Sequence, residues 1–512
     1  MRVLAHSLIV LLLLLFLSTP AQSAWIADIS DFAEIPSGEE GPDSVTIWLP
    51  CHERATVGVY GAKTIRLNTP PEVEHKVLVQ YIWERRVFAE GDSVHVARIP
   101  YWLPPRRWRP PSQTGGPYAV QLHATVPGDY QVEITCRDGQ VLTVDLHVTE
   151  PIPGPDIGIG YYTVPPFWEY PLYRTYFEHM VELRCNTFTA YTSHPDPDAP
   201  AAKNLAWQLD LAVETGLTDG TVPVFVMHSR PSVLDDAPQY GRHVEQWPEL
   251  VGYSRDEPGC TDVMENESRS TAAMYREAGY RSGSAITAPS IYRMGDGLDI
   301  WICIMEDMSD LLRREAQRQG AELWTYSCRI RGTNAPLNRY FSGWWAFATR
   351  PGALMLWVYM DRMLATQASV TVPSIVHPDG TWTPCGYFEY TLGAPDGPIS
   401  SVGAEARRDG IVDYMVLQEL ERAILAARVE QEVQPNLHSL VQEASQWLQD
   451  NVDKVDTNFW PNDYIAWGGG EGGDPLHWDS VDLAQPPLSN FNELRAQAIE
   501  YTRKLQEGPK AP

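Results

Sequence analysis

Between residues 24 and 150, apolar and polar side chains alternate with the period of two that a half-buried strand requires. Segments 44–49, 76–82, 118–124, 129–136 and 140–148 carry this pattern, with Pro127-Gly128 and Asp138-Gly139 as turn signals between the later ones. The pattern predicts an all-β sandwich over residues 24–150, with the Pro-, Arg- and Trp-rich segment 100–117 as a loop. Glu150-Pro151-Ile152-Pro153-Gly154-Pro155 then reads as a stiff linker.

Beyond the linker the texture changes. Strand-like runs at 156–164, 186–192, 222–228, 250–254, 282–288, 298–305, 322–327 and 353–359 are apolar on both faces, as buried parallel strands are. Helical periodicity separates several of them, at 201–215, 265–279, 307–319 and 339–349. A doubly wound open sheet would alternate in the same way. The count of eight strands favours a (β/α)8 TIM-type barrel over residues 156–430, closing on an amphipathic helix at 409–427. Residues 431–512 form a predicted C-terminal helical extension, with helices at 437–452 and 491–506 flanking an aromatic, glycine-rich loop. The fold class is thus multi-domain: a β-sandwich, an α/β barrel and a helical extension.

The N-terminus adds a compartment. Arg2, the apolar run 8–17, the Thr19-Pro20 break and Ala21-Gln22-Ser23 have the layout of a signal peptide, residues 1–23, whose removal implies a secreted or periplasmic protein. An uncleaved anchor is the alternative. No later segment reaches the ~20 apolar residues of a membrane span. The formal net charge of −27 argues against nucleic acid and anionic membrane partners. None of the seven cysteines forms a C-x-x-C pair, so a zinc or redox motif is not supported, and the sequence as a whole implies neither a metal nor an organic cofactor. Export would permit a disulfide between Cys51 and Cys136, which share the N-terminal region.

Chemistry in a barrel sits where strands end at the C-terminal face. The fourth predicted strand runs into Arg255-Asp256-Glu257-Pro258-Gly259, which holds two adjacent carboxylates at that rim. Glycoside cleavage needs an acid for the leaving oxygen and a negative partner for the cationic centre. A vicinal Asp-Glu pair suits the substrate-assisted variant, in which the sugar's own 2-acetamido group is the nucleophile. An acidic turn capping the next helix is the structural alternative.

The 18 Trp and 24 Tyr suit a sugar-binding cleft, since flat aromatic faces stack on sugar rings. Tyr162, Tyr191, His228, Arg255, Trp301, Glu306, Tyr326, Trp345 and Trp357 are the candidate substrate contacts, with Asp256 and Glu257 as the catalytic pair. Core packing accounts for a share of these aromatics. No G-x-S-x-G elbow, H-E-x-x-H, Walker loop or dinucleotide fingerprint is present at a strand–helix junction. His194 and His228, with no third ligand at a telling spacing, point to substrate contact or structure before metal.

Four segments in order resemble glycoside hydrolase family 123 and its related domain of unknown function 4091. They are Tyr253-Ser254-Arg255-Asp256-Glu257-Pro258, Leu323-Trp324-Thr325-Tyr326-Ser327-Cys328, the block Trp344-Trp345-Ala346 with Gly352-Ala353-Leu354-Met355-Leu356-Trp357, and Arg407-Arg408-Asp409-Gly410-Ile411-Val412-Asp413-Tyr414. The resemblance implies a retaining, substrate-assisted β-N-acetylhexosaminidase acting on N-acetylgalactosaminides. Glu257 would be its general acid/base, Asp256 would orient the acetamido group, and Tyr326 and the rim tryptophans would line the sugar subsite. After strand eight the chain departs from the family, with His377-Pro378-Asp379-Gly380-Thr381-Trp382 and with Gly403 in place of a basic residue. These departures bear on which sugar is bound. Two other readings stand beside this one: a double-displacement glycosidase with Glu306 as nucleophile, and a non-catalytic glycan-binding protein. In each reading the partner is an oligosaccharide or polysaccharide.

Overall fold

The computed structural model describes residues 23–33, 35, 41–88, 94–106, 116–163, 173–193, 196, 198–227, 229–256, 258, 261–286, 297–305, 308–327, 334–356, 359, 374–376, 382–384, 391–392, 397–430, 437–457 and 485–508. Its N-terminal part holds β1 (Trp25–Asp28), β2 (Ser44–Pro50), β3 (Arg54–Tyr60), β4 (Ile65–Asn68), β5 (Val73–Val79), β6 (Tyr81–Phe88), β7 (Val94–Trp102), β8 (Tyr118–Ala124), β9 (Gly128–Cys136) and β10 (Val141–Thr149). These strands make two four-stranded sheets, ordered β1-β3-β8-β5 and β2-β10-β9-β4, and a ribbon β6-β7. Pairing is antiparallel except between β2 and β10. Val57, Val59, Val120 and Leu122 of the first sheet share one apolar cluster with Ile47, Val132, Ile134, Val144 and Leu146 of the second.

The segment read as one strand at 76–82 is broken at Gln80, where β5 ends and β6 begins. The Gln80 N–H donates to the Pro117 carbonyl at 2.8 Å. The disulfide that export would permit is not formed: Cys51 and Cys136 are free buried thiols. Cys51 follows the end of β2 and bonds Thr149 at one end of β10, whereas Cys136 bonds Gln140 beyond the other end. A strand of that length separates its ends by roughly 25 Å, far beyond the ~7 Å Cα limit of a disulfide.

The second part is an eight-stranded parallel sheet curled into a near-barrel of TIM type. Its strands are β11 (Gly158–Tyr161), β12 (Thr189–Tyr191), β13 (Val224–Met227), β14 (Leu250–Tyr253), β15 (Ser282–Ile286), β16 (Ile300–Ile304), β17 (Glu322–Ser327) and β18 (Ala353–Leu356), in the order β11-β18-β17-β16-β15-β14-β13-β12. The seam between β11 and β12 is bridged by Asn186 N–H to the Ile159 carbonyl at 2.9 Å and by Thr163 Oγ1 to the Thr189 carbonyl at 2.5 Å. Helices α1 (Tyr173–Glu182), α2 (Ala201–Thr215), α3 (Pro231–Asp236), α4 (Asp262–Glu277), α5 (Asp310–Gln319) and α6 (Ala335–Tyr340) intervene. A π-helical turn, Phe341–Trp345, and Ala346–Thr349 extend α6.

Local chemistry fixes these boundaries. Thr261 and Ser309 cap α4 and α5 by accepting the backbone N–H of Met264 and Leu312, each at 3.2 Å. Gly216 and Gly320 end α2 and α5 in the left-handed region, at φ 76° and 71°.

Alternation within the barrel strands divides two cores. Phe225, Val251, Tyr253, Ala285, Ile300, Ile302, Trp324, Tyr326 and Met355 fill the interior. Val224, Val226, Ile286, Trp301, Cys303, Leu354 and Leu356 face the helices. A strand buried on both faces carries no polar alternation, which is why the runs read as apolar throughout.

The long α7 (Val402–Glu430) follows, with α8 (Leu437–Val452) and α9 (Phe491–Glu507). Leu420 and Ala423 of α7, Val441 and Ala444 of α8, and Ala498 and Ile499 of α9 belong to the helix-side core. Gly410 of α7 sits where a Cβ would lie 2.4 Å from the Arg339 carbonyl oxygen, so only glycine admits this close crossing with α6. No helix among the described residues is long and apolar enough to cross a membrane.

Candidate active site

Strand parity places one side chain per strand at the inner rim of the barrel's C-terminal mouth. At β14, Val251 and Tyr253 point inward. Gly252 faces α4, where a Cβ would stand 2.4 Å from the Tyr275 ring. Tyr162 just after β11, Tyr191 ending β12, Tyr253 ending β14 and Tyr326 late in β17 are all buried in the interior cluster. Tyr162 and Tyr326 meet edge to face with centroids 6.1 Å apart. Below them, Phe225 packs edge-on against Trp324 at 4.9 Å and against Tyr253 at 5.9 Å, forming an aromatic floor.

Asp256 stands at this rim, exposed to solvent. Tyr253 Oη donates to Asp256 Oδ1 at 2.7 Å and itself accepts the Ala285 N–H at 3.1 Å. Among the described residues, Asp256 Oδ2 has no hydrogen-bond donor. The preceding loop is pinned to its neighbours. Ser254 N–H donates to the Gly283 carbonyl at 2.9 Å, Ser254 Oγ meets Ser268 Oγ at 2.8 Å, and Ser284 Oγ donates to the Arg255 carbonyl.

Burial pushes the Tyr253 phenol well up, and the nearby Tyr162 and the Asp256 carboxylate add to that shift. Tyr191 is pushed up by burial first and by the Asp256 charge second. Both phenols are therefore neutral donors at ordinary pH, gathered around one carboxylate.

Asp256 thus stands with Tyr253 and within reach of Tyr191, and Tyr162 and Tyr326 lie in the same interior cluster as those two tyrosines. Three other candidates stand elsewhere. Arg255 turns out to an ion pair with Glu267 on α4. Trp301 has the parity of Cys303 and is wholly buried on the helix side of β16. Trp345 lies in the π-helical turn, also buried among helices, with its Nε1 donating to the Thr457 carbonyl at 3.4 Å. The reading of these three as sugar contacts is corrected: one is a surface ion pair and two are core. Glu257, His228, Glu306 and Trp357, and also His194, lie outside the described residues. Tyr253 was not among the candidates. Its signal was the alternation Val251-Gly252-Tyr253, which puts a tyrosine inward at the last position of the strand.

A separate cleft of about 420 Å³ lies at the opposite, N-terminal side of the barrel, between the first sheet and the end of α1. Arg54, Arg184, Arg408 and Glu182 line it, and they are tied up in ion pairs and carbonyl bonds across that junction.

No family model matches the chain, and no curated protein matches it. Solved structures do. A family 123 glycoside hydrolase from Clostridium perfringens, studied for glycolipid glycan hydrolysis, aligns with a TM-score of 0.58 at 10% identity, covering 95% of this chain and 99% of that one. A β-glucuronidase from Ruminococcus gnavus aligns at 12% identity and TM-score 0.34, covering 72% of this chain and 68% of that one. A family 39 glycoside hydrolase from Bacteroides cellulosilyticus aligns at 11% identity and TM-score 0.33, covering 67% and 80%. The resemblance drawn from the four motifs is therefore matched in three dimensions: along nearly its whole length the chain has the fold of a family 123 glycoside hydrolase.

Proposed function

We propose that the protein is an exported glycoside hydrolase that cleaves β-linked N-acetylhexosaminides, N-acetylgalactosaminides in particular, by substrate-assisted retention through Asp256 and Glu257. The observation that carries this is Asp256: an exposed carboxylate at the C-terminal end of the fourth barrel strand, held through one oxygen by the buried Tyr253 and close enough to Tyr191 for its charge to act there. A sugar stacked at that rim presents its acetamido N–H to Asp256 Oδ2. The carboxylate orients the acetamido group and balances the positive charge that develops as the acetamido oxygen attacks C1. Glu257, the next residue, protonates the departing glycosidic oxygen, then takes a proton from the water that opens the oxazoline.

The wider organisation belongs to the same reading: a β-sandwich over 24–150, a catalytic barrel over 156–430 and a helical extension over 431–512. The apolar cluster common to the two N-terminal sheets supports the first, and the packing of α8 and α9 on α7 supports the last. Secretion or a periplasmic location rests on residues 1–23 as a removed signal, and residues 1–22 lie outside the described residues.

The mechanism is tested by proton NMR of the first-formed sugar during hydrolysis of an aryl 2-acetamido-β-glycoside. The β-anomer should appear first, and a thiazoline analogue of the oxazoline should inhibit. Initial release of the α-anomer would overturn retention. Retention without thiazoline inhibition would overturn the acetamido nucleophile.

A further inference from the structure

The Tyr253 phenol has its hydroxyl wholly committed. Its oxygen accepts the Ala285 N–H at 3.1 Å, and its proton goes to Asp256 Oδ1 at 2.7 Å. The ring is clamped against Phe225 in the barrel interior, so the hydroxyl cannot swing aside without disturbing the floor. Ala285 belongs to the neighbouring strand β15, which also holds the Arg255 carbonyl through Ser284. Two adjacent strands therefore fix both the main chain before Asp256 and one oxygen of its carboxylate.

We infer that Tyr253 is a positioning residue for Asp256, holding the carboxylate turned so that Oδ2 faces the substrate's acetamido N–H. In its catalytic part this rests on the hydrolase reading above; in its structural part it does not. The phenol itself touches no reacting atom. Among the described residues, Tyr253 gives Asp256 its one side-chain hydrogen bond, so loss of the Tyr253 hydroxyl bears on Asp256 directly.

The first test uses the full protein without substrate. Aspartate side-chain carboxyls are labelled with carbon-13, and the Asp256 signal is assigned by its absence in Asp256→Asn. In Tyr253→Phe that signal should change chemical shift at neutral pH, because the phenol no longer bonds the carboxylate. An unchanged chemical shift overturns the inference, whatever the enzyme turns out to cleave.

The second test is a kinetic cycle on an aryl 2-acetamido-β-galactoside. Tyr253→Phe should lower kcat/KM by roughly 10- to 100-fold, mostly in kcat. The same change made in the Asp256→Asn background should cost little more, because the residue it acts through is already gone. Equal losses in both backgrounds overturn the positioning role. If Tyr253→Phe fails to fold, the wild-type Tyr253 hydroxyl proton, slowed in exchange by its buried bond to Asp256, should move in the proton spectrum of Asp256→Asn; an unmoved proton overturns the inference. A wild type that turns over no β-glycoside defeats the hydrolase reading alone and leaves these spectra to decide Tyr253.

Discussion

The barrel mouth and the helical layer outside the barrel handle charge in opposite ways. At the mouth, Asp256 is exposed, has one donor and keeps its second oxygen open among the described residues. In the helical layer, Arg339 of α6 is wholly buried and uses all five of its N–H donors: on Asp413 twice at 2.7 and 3.1 Å, on Asp28 at 3.1 Å, on Ser30 at 2.7 Å and on Asn492 at 2.9 Å. Arg495 of α9 adds bonds to Asp413 at 2.5 Å and to the Asp409 carbonyl at 2.7 Å. One cation thus ties β1, α7 and the segment of α9 together. The segment Arg407-Arg408-Asp409-Gly410-Ile411-Val412-Asp413-Tyr414, which helped carry the family resemblance, belongs to this framework. Arg407 lies 4.2 Å over the Tyr161 ring and donates to the Gly160 carbonyl at 3.1 Å. Arg408 reaches Glu53 at 2.8 Å, on the N-terminal sheet side. A diagnostic motif can therefore be architecture, while the chemistry rests on a carboxylate that packing leaves open.

That division predicts which measurements each region should move. Arg339→Ala leaves Asp28 buried without its cation and Asp413 with Arg495 alone. It should cost about 3–5 kcal/mol in urea unfolding, while turnover per folded molecule stays near wild type. A variant that melts like wild type yet loses activity would break the division. Trp301→Ala empties a fully buried site on the helix side and should cost about 3 kcal/mol with KM unchanged. A rise in KM without loss of stability would return Trp301 to the sugar site.

Smaller effects sharpen the comparison through pH. Burial holds the His179 imidazole neutral, lowering its pKa to about 4. The unfolded chain, near the ordinary value of about 6.5, binds a proton that the folded state refuses. Stability should therefore fall as pH drops from about 6.5 towards 4, and His179→Gln should flatten that limb. Asp409 has the opposite sign. Burial first, and the Asp28 charge second, raise its pKa to about 7. Its contribution is full below the unfolded value near 3.9 and is lost as pH rises through 7. Asp409→Asn should gain stability at pH 8 relative to wild type, measured by thermal unfolding. The smallest effect concerns the cysteines: because Cys51 and Cys136 are free, alkylation of the unfolded, unreduced protein should label both.

Much of the barrel was legible because its strands are short apolar runs between helices of plain periodicity. The predicted helix at 201–215 and strand at 322–327 match α2 and β17 residue for residue. In the N-terminal part, β1, β3, β4 and β7 went unread. In β3 the alternation is hidden: nearly every residue is buried, because the first sheet also packs its outer face on the barrel side through Leu78, Ala119, Ala335, Val402 and Ala406. The Cys51–Cys136 pairing stayed open in the sequence because proximity along the chain says nothing about which end of a strand a cysteine occupies. Trp301 and Trp345 were misread because aromatic content does not report facing. Parity against Ile300 and Ile302 would have sent Trp301 outward, and the same parity would have found Tyr253.

The most direct test of the central claim is release of 4-nitrophenol from its 2-acetamido-2-deoxy-β-galactoside and from the matching β-galactoside. Wild type, Asp256→Asn, Glu257→Gln and Arg339→Ala should be compared, each corrected for the folded fraction. Turnover confined to the 2-acetamido sugar is expected. It should fall by about 10²- to 10⁴-fold in the Asp256 and Glu257 variants and persist per folded molecule in the Arg339 variant. Equal cleavage of both sugars, or undiminished cleavage after Asp256→Asn and Glu257→Gln, would contradict it.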